Sequence, residues 1–471
     1  MQLLKRIEEI KLAEDTNKTP KLKQTLPHEN QESAQGEAKP KGGKRSRRSF
    51  VFYLGILGPG LIAANAGNDA GGIATYSQMG SQYGYNLLWV MVIITFSLSV
   101  VQEMCARLGA ATGKGLSDLV RENFGIRWTV LVMLALLIAN VGTTISDFIG
   151  IAAAMDIFGV PPWISAPTAG FALWWLIARG SYGRAEKIFL FMTFAFFAYI
   201  FSAFIGHPDW GQALTHSFVP TIKGDSAYIQ TIMAAIGTTI TPYMQLFLQS
   251  AVVEKGVTMR DYKYERLEVY LGCFFSNLIS FFIIVACAAT LFANSPIVDG
   301  ERQGVTINTA SDAAQALGPL LGNYATLVFA FGLLGASLLA SGVLPLATSY
   351  SITEALGFEN GVSFKLKEAP VFWSIFTGMI VVSVIIAIIP GILSYTVTIL
   401  LVIQILNAMI LPFVLVAALL LINNKELMGP YTNGRVYNII AWSTAIFVAT
   451  LSLVLLAITI TGIFNIDLLP G

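Results

Sequence analysis

Eleven stretches of this 471-residue sequence are apolar for long enough to cross a bilayer, which settles the fold class before any motif is considered. They run roughly over 51–78, 85–106, 128–155, 162–178, 187–206, 227–253, 268–293, 320–350, 370–390, 393–423 and 437–463. Each can span a hydrocarbon core of about 30 Å. Backbone amides and carbonyls must find partners within the chain at that depth, so the spans are expected to be helical. The expectation is an all-α polytopic membrane protein of about eleven transmembrane helices. With 55% apolar and 12% charged residues and a mean hydropathy of +0.67, the chain is not a soluble domain.

Two of these spans break their own helical pattern near the middle. The first reads Gly58-Pro59-Gly60, continues through Ala64, and then becomes Asn65-Ala66-Gly67-Asn68-Asp69-Ala70-Gly71-Gly72 before apolar residues return at Ile73. The sixth reads Gly237-Thr238-Thr239-Ile240-Thr241-Pro242-Tyr243 at its centre. Glycine loosens a helix and proline removes a backbone donor, so both spans are expected to unwind at the midplane. Unwound backbone is stable there only where it lines a cavity. Paired breaks in the two halves of a chain point to the binding site of a secondary transporter. Asp69 lies in the first break, and a carboxylate at that depth is costly enough to suggest a cation ligand. It could instead cap the helix that follows.

Four unbroken spans follow each broken one, which predicts a five-plus-five arrangement with an eleventh helix appended. A unit of five spans reverses direction on repetition, so the halves, 49–206 and 227–423, are expected to be inverted in the LeuT-like manner. The eleventh helix is 437–463. Residues 1–48 are polar, end in Lys44-Arg45-Ser46-Arg47-Arg48 and read as a disordered cytoplasmic tail. Basic residues gather on alternate loops: Arg107, Lys114, Arg121 and Arg127, then Lys255, Arg260, Lys263 and Arg266, then Lys365 and Lys367. That side should be cytoplasmic, with the N-terminus inside. The linker Arg260–Arg266 is expected to be an amphipathic cytoplasmic helix, and 294–318 an external excursion.

Cys105, Cys273 and Cys287 have no paired spacing and read as packing residues. No phosphate-binding glycine loop and no Ser/His/Asp set stands at membrane depth, so neither ATP-driven transport nor an enzyme is expected. Nothing indicates nucleic acid, a resident cofactor or an obligatory protein partner; the implied partners are the lipid bilayer and a transported ion.

Several motifs resemble the Nramp (natural resistance-associated macrophage protein) family of divalent-metal transporters. They are Gly58-Pro59-Gly60, Ala106-Arg107-Leu108-Gly109 with Ala111-Thr112-Gly113-Lys114, Leu411-Pro412-Phe413 and Leu427-Met428-Gly429. The resemblance implies a metal site across the two breaks, in a multi-pass protein of a bacterial-type inner membrane. The family's first break carries Asp-Pro-Gly-Asn, with Asp and Asn on the metal; here it is Asp69-Ala70-Gly71-Gly72, so the amide is lost at Gly72. The second break carries an alanine carbonyl and then Met-Pro-His. Here Thr238 takes the carbonyl position, Thr241 replaces the methionine and Tyr243 the histidine. This pattern resembles the prokaryotic Nramp-related magnesium transporters.

The chemistry of the substitutions agrees. A thioether suits soft transition metals, whereas Mg²⁺ takes hard oxygens and sheds water reluctantly. The expected ligand set is Asp69, Thr238, Thr241 and Gln404, with Asn68 either meeting the ion or bracing the loop. Gly72, Tyr243 and Asp147 would line the site or a proton path. The family's coupling relay is largely missing: Thr144 stands at a common aspartate, Asp147 at a glutamate, and His28, His207 and His216 lie outside the spans. The expected function is import of Mg²⁺, and also Mn²⁺, without proton coupling. The alternatives are a proton-coupled Mn²⁺/Fe²⁺ importer or, less well matched to an acidic break, an amino-acid or amine transporter of the same architecture.

Overall fold

The computed structural model describes residues 68–179, 191, 194–260, 262–298, 301–359 and 364–463. The tail assigned to 1–48 and the first half of span one, including Gly58-Pro59-Gly60 and Asn65, lie outside these residues. The described chain is almost wholly helical. In the first half stand α1 (Ala70–Tyr83), α2 (Leu88–Thr112), α3 (Leu116–Ile157), α4 (Pro162–Ala178) and α5 (Phe197–Ile205). A short α6 (Trp210–Phe218) leads to α7 (Ser226–Thr239) and α8 (Pro242–Glu254), the two pieces of the sixth span. Then come α9 (Tyr262–Cys287), α10 (Ala325–Leu356), α11 (Pro370–Ala387), α12 (Thr396–Ile422) and α13 (Arg435–Ile463). Eight helical segments among the described residues are long and apolar enough to cross a membrane.

The inverted repeat is visible in which helices touch. Counting spans from each break, helix two of one half packs on helix two of the other (α2 on α9), three on three (α3 on α10) and four on four (α4 on α11). The broken helices meet as well, α1 against α7. Such like-on-like pairing follows from a pseudo-twofold axis in the membrane plane. The appended α13 lies on α12 and α7, and turns Val436, Ile439, Ile446 and Leu453 outward, as a helix at the lipid boundary must.

Local sequence explains where the elements stop. Gly113 ends α2 at φ 65°, a left-handed turn that suits glycine. Gly125, at φ 77°, bends α3 just before the span predicted from residue 128, so Leu116–Phe124 forms a separate segment on the side of the basic loops.

One expectation needs correcting. The Arg260–Arg266 linker is not a helix of its own, because Tyr262 onward forms the first turns of α9. Tyr262 anchors those turns by donating from its hydroxyl to Glu103 Oε1 of α2 at 2.8 Å. The 294–318 excursion carries a two-stranded pairing, β1 (Ile297–Val298) on β2 (Glu301–Arg302). It then straps the end of α1: the amide of Val305 donates to the Ser81 carbonyl at 2.9 Å, and that of Ile307 to Gln78 Oε1 at 2.9 Å.

Candidate metal site

The first break ends sharply at Asp69. This residue is extended (φ −67°, ψ −177°) and caps α1, its Oδ1 accepting from the Gly72 amide at 2.7 Å. Ala70, Gly71 and Gly72 are therefore helical, although the sequence suggested that the unwound stretch reached Gly72. The second break is also narrower than Gly237–Tyr243. Only Ile240 and Thr241 leave the helix, and Pro242 opens α8, where a missing amide is harmless. The same proline has no N–H to offer four residues back, so the Thr238 carbonyl loses its helical donor.

The capping role of Asp69 uses one oxygen only. Its Oδ2 is buried with no hydrogen-bond partner, as are Thr238 Oγ1 and Thr241 Oγ1. All three residues are no more than 1% exposed. No Lys, Arg or His forms an ion pair with Asp69 among the described residues. Buried polar atoms are nearly always satisfied, so these three unpartnered oxygens at the two helix breaks are candidate ligand donors.

Gln404 closes the site from α12. Its carboxamide is near enough to act on the Asp69 carboxyl, although Nε2 makes no well-formed hydrogen bond. Its Oε1 accepts from Asn407 Nδ2 at 2.9 Å, and the same nitrogen donates to Thr143 Oγ1 of α3 at 2.8 Å. Two glycines admit this residue. A Cβ on Gly71 would stand 1.9 Å from Gln404 Nε2, and one on Gly237 would stand 1.8 Å from the Gln404 carbonyl oxygen. Their place in the sequence predicts that both glycines loosen a helix. Both are helical, and their function is close approach of α12 to α1 and α7.

Asn68 faces elsewhere. Its Nδ2 donates to Ser276 Oγ at 3.3 Å, and its Oδ1 accepts from Ser280 Oγ at 3.0 Å, which fastens the break to α9. A second brace was not anticipated: the hydroxyls of Tyr76 on α1 and Thr239 on α7 meet at 2.8 Å. Tyr243 is buried within electrostatic reach of Asp69 and Asp147. Asp147 is fully buried, faces the Ala70 amide and the Asp69 charge, and has no partner for either oxygen. Thr144 spends its hydroxyl on the Asn140 carbonyl at 2.7 Å. His207 and His216 lie around α6, away from the breaks. The three cysteines are buried and free.

Comparison with known proteins agrees with this architecture. The family described as "Natural resistance-associated macrophage protein-like" matches residues 60–458. The divalent metal cation transporter MntH of Deinococcus radiodurans is 28% identical over 434 residues, covering 88% of this chain and 91% of that protein. MntH of Bacillus subtilis is 27% identical, covering 88% and 94%. Among solved structures, a histidine-to-alanine variant of the Eremococcus coleocola manganese transporter superposes with a TM-score of 0.71 at 19% identity, covering 90% of each chain. MhsT in complex with L-phenylalanine gives 0.54 at 14% identity, covering 86% and 98%. At these identities the structural likenesses establish a common fold, while the extent of the family match establishes kinship: the chain belongs to the Nramp family.

Proposed function

We infer that this protein is a secondary transporter that brings divalent metal ions into the cell by alternating access, Mg²⁺ foremost and Mn²⁺ also, without moving protons. The observation that carries this reading is the set of orphaned oxygens at the two breaks: Asp69 Oδ2, Thr238 Oγ1 and Thr241 Oγ1. The Thr238 carbonyl opened by Pro242 adds a fourth. These are hard donors with one formal charge. No three of His, Cys, Asp or Glu come together among the described residues, so the ion would rely on neutral oxygens and its own water. Mg²⁺ is held in this way, by one or two carboxylates with several waters retained. Thr241 supplies no thioether where a softer metal would gain from one.

Asp69 would bind the ion directly, with the Thr238 carbonyl and Thr241 hydroxyl ligating directly or through water. Gln404 would steady the carboxylate or a bound water, and Asn68 is assigned to bracing. The relatives named MntH transport divalent metal cations, and the Eremococcus protein is a manganese transporter. Their kinship supports metal as the cargo class, while the oxygen set supports Mg²⁺ as its leading member. In this reading the basic loops face the cytoplasm, with the N-terminus inside. Proteoliposomes tested with Mg²⁺ and then Mn²⁺ should show saturable uptake with a large temperature dependence. Flux that does not saturate would indicate a channel, and uptake of Mn²⁺ with none of Mg²⁺ would refute the assignment of cargo.

A further inference from the structure

A groove of about 720 Å³ runs along the outside of the helices between α3, α12 and α13. Phe124, Trp128 and Leu131 line it from α3, Pro412 and Phe413 from α12, and Leu453 from α13. Ser452 brings the only hydroxyl among the lining residues and spends it on its own helix, donating to the Val448 carbonyl at 2.8 Å. The lining therefore asks for hydrocarbon, and an empty groove would forfeit the dispersion contacts of its walls.

Its length restricts what fits. On α12 the groove extends from Met409, the midpoint of that helix, to Leu420, two residues from its end. Those eleven positions rise about 16 Å, roughly half of a hydrocarbon core of about 30 Å. The groove thus spans one leaflet, from the bilayer middle to the side that carries Arg121, Arg127 and Lys425. One acyl chain has this reach, whereas a spanning helix of a second copy would need both leaflets. The walls argue the same way. Helices associate in lipid through small residues and interhelical hydrogen bonds, and most side chains here are large and apolar.

The open end of the groove carries charge. Beyond the bend at Gly125, Arg127 precedes the groove residue Leu131 by one helical turn and so shares its face. Arg127 is exposed and makes no ion pair among the described residues. Beside it Trp128 is 60% exposed, an indole at the level where such rings gather at a membrane–water boundary.

We propose that the groove holds one anionic phospholipid from the leaflet on the side of the basic loops, with an acyl chain along α12 and the headgroup phosphate on Arg127. Its effect would reach the metal site through α12. Pro412 on the groove wall has no N–H for the Ala408 carbonyl, which weakens that turn. The same turn presses on α7, where a Cβ at Gly237 would stand 2.8 Å from the Ala408 amide. A chain lying on Pro412 and Phe413 braces α12 at its weak turn and keeps Gln404 at the breaks. The binding itself does not depend on which metal is carried.

The test uses the full-length protein, delipidated in detergent and titrated with phosphatidylglycerol or with phosphatidylcholine of the same chains, the bound lipid being counted by native mass spectrometry. One phosphatidylglycerol should be retained in preference to phosphatidylcholine. Arg127→Gln should weaken its binding about fivefold, equivalent to about 1 kcal/mol, and leave phosphatidylcholine unchanged. Ala417→Trp, which fills the groove, should displace the lipid. In proteoliposomes, exchanging phosphatidylglycerol for phosphatidylcholine should slow Mn²⁺ uptake by the parent and hardly alter that of Arg127→Gln. Lipid binding is read without transport, so a wrong cargo leaves this arm intact. Equal retention of the two lipids would overturn the proposal, as would a phosphatidylglycerol adduct that survives both substitutions. A dimer that Ala417→Trp dissolves would give the groove to a second copy instead, and uptake indifferent to headgroup would refute the bracing of α12.

Discussion

The two oxygens of Asp69 stand in different states. Oδ1 caps α1 and Oδ2 has no partner, so the capping role and the proposed ligand role of this residue are compatible. The two can be separated by substitution. Asparagine caps about as well as aspartate, whereas alanine at such a position costs about 1 kcal/mol. Asp69→Asn should therefore melt close to the parent yet lose Mg²⁺ and Mn²⁺ uptake, while Asp69→Ala should lose both uptake and stability. Undiminished transport by either variant would move the ion site elsewhere. Selectivity is a second matter of single residues. Thr241→Met with Gly72→Asn restores a soft donor and an amide, and should shift preference from Mg²⁺ towards Mn²⁺ and Cd²⁺ in competition assays. A double variant that keeps its preference for Mg²⁺ would place selectivity outside the residues that touch the ion.

At the scale of helices, the proposed metal site depends on how closely α12 approaches α1 and α7. A Cβ at Gly237 would run into the backbone of α12, at 1.8 Å from the Gln404 carbonyl and 2.8 Å from the Ala408 amide. Backbone cannot rotate aside as a side chain can, so Gly237→Ala should cost about 1–3 kcal/mol and move Gln404 off the site. A thermal melt with a parallel uptake assay would show both losses; an unchanged melt would mean that the helices do not press together there. This contact also shows where sequence stops being informative. The breaks, Asp69 and the order of spans were legible because composition and proline placement act locally. The partners of Gly71 and Gly237 were not, since nothing in a single sequence says that both face residue 404. Asn68 was left between two roles for the same reason, since Ser276 and Ser280, which hold it, are some 210 residues away. The exact edges of the breaks were missed because capping by Asp69 and the opening at Pro242 each add helix that glycine content argued against.

For the whole molecule the question is what drives the ion inward. An inside-negative potential supplies about 2.3 kcal/mol per charge per 100 mV, hence about 4.6 kcal/mol for a divalent ion, which is sufficient without a proton. The histidines lie outside the breaks, and Thr144 is spent on its own helix, so Asp147 is the one expected relay position that still carries a carboxylate, with the phenol of Tyr243 standing in the histidine's place. Metal entry should not acidify the vesicle lumen, an imposed pH gradient should leave the rate almost unchanged, and an inside-negative potential should raise it. The measurement needs an internal pH dye, first with saturating Mn²⁺ and then with millimolar-scale Mg²⁺, because an ion that keeps most of its water is held weakly. Acidification that depends on metal and vanishes in Asp147→Asn would assign the driving force to protons and restore the proton-coupled alternative.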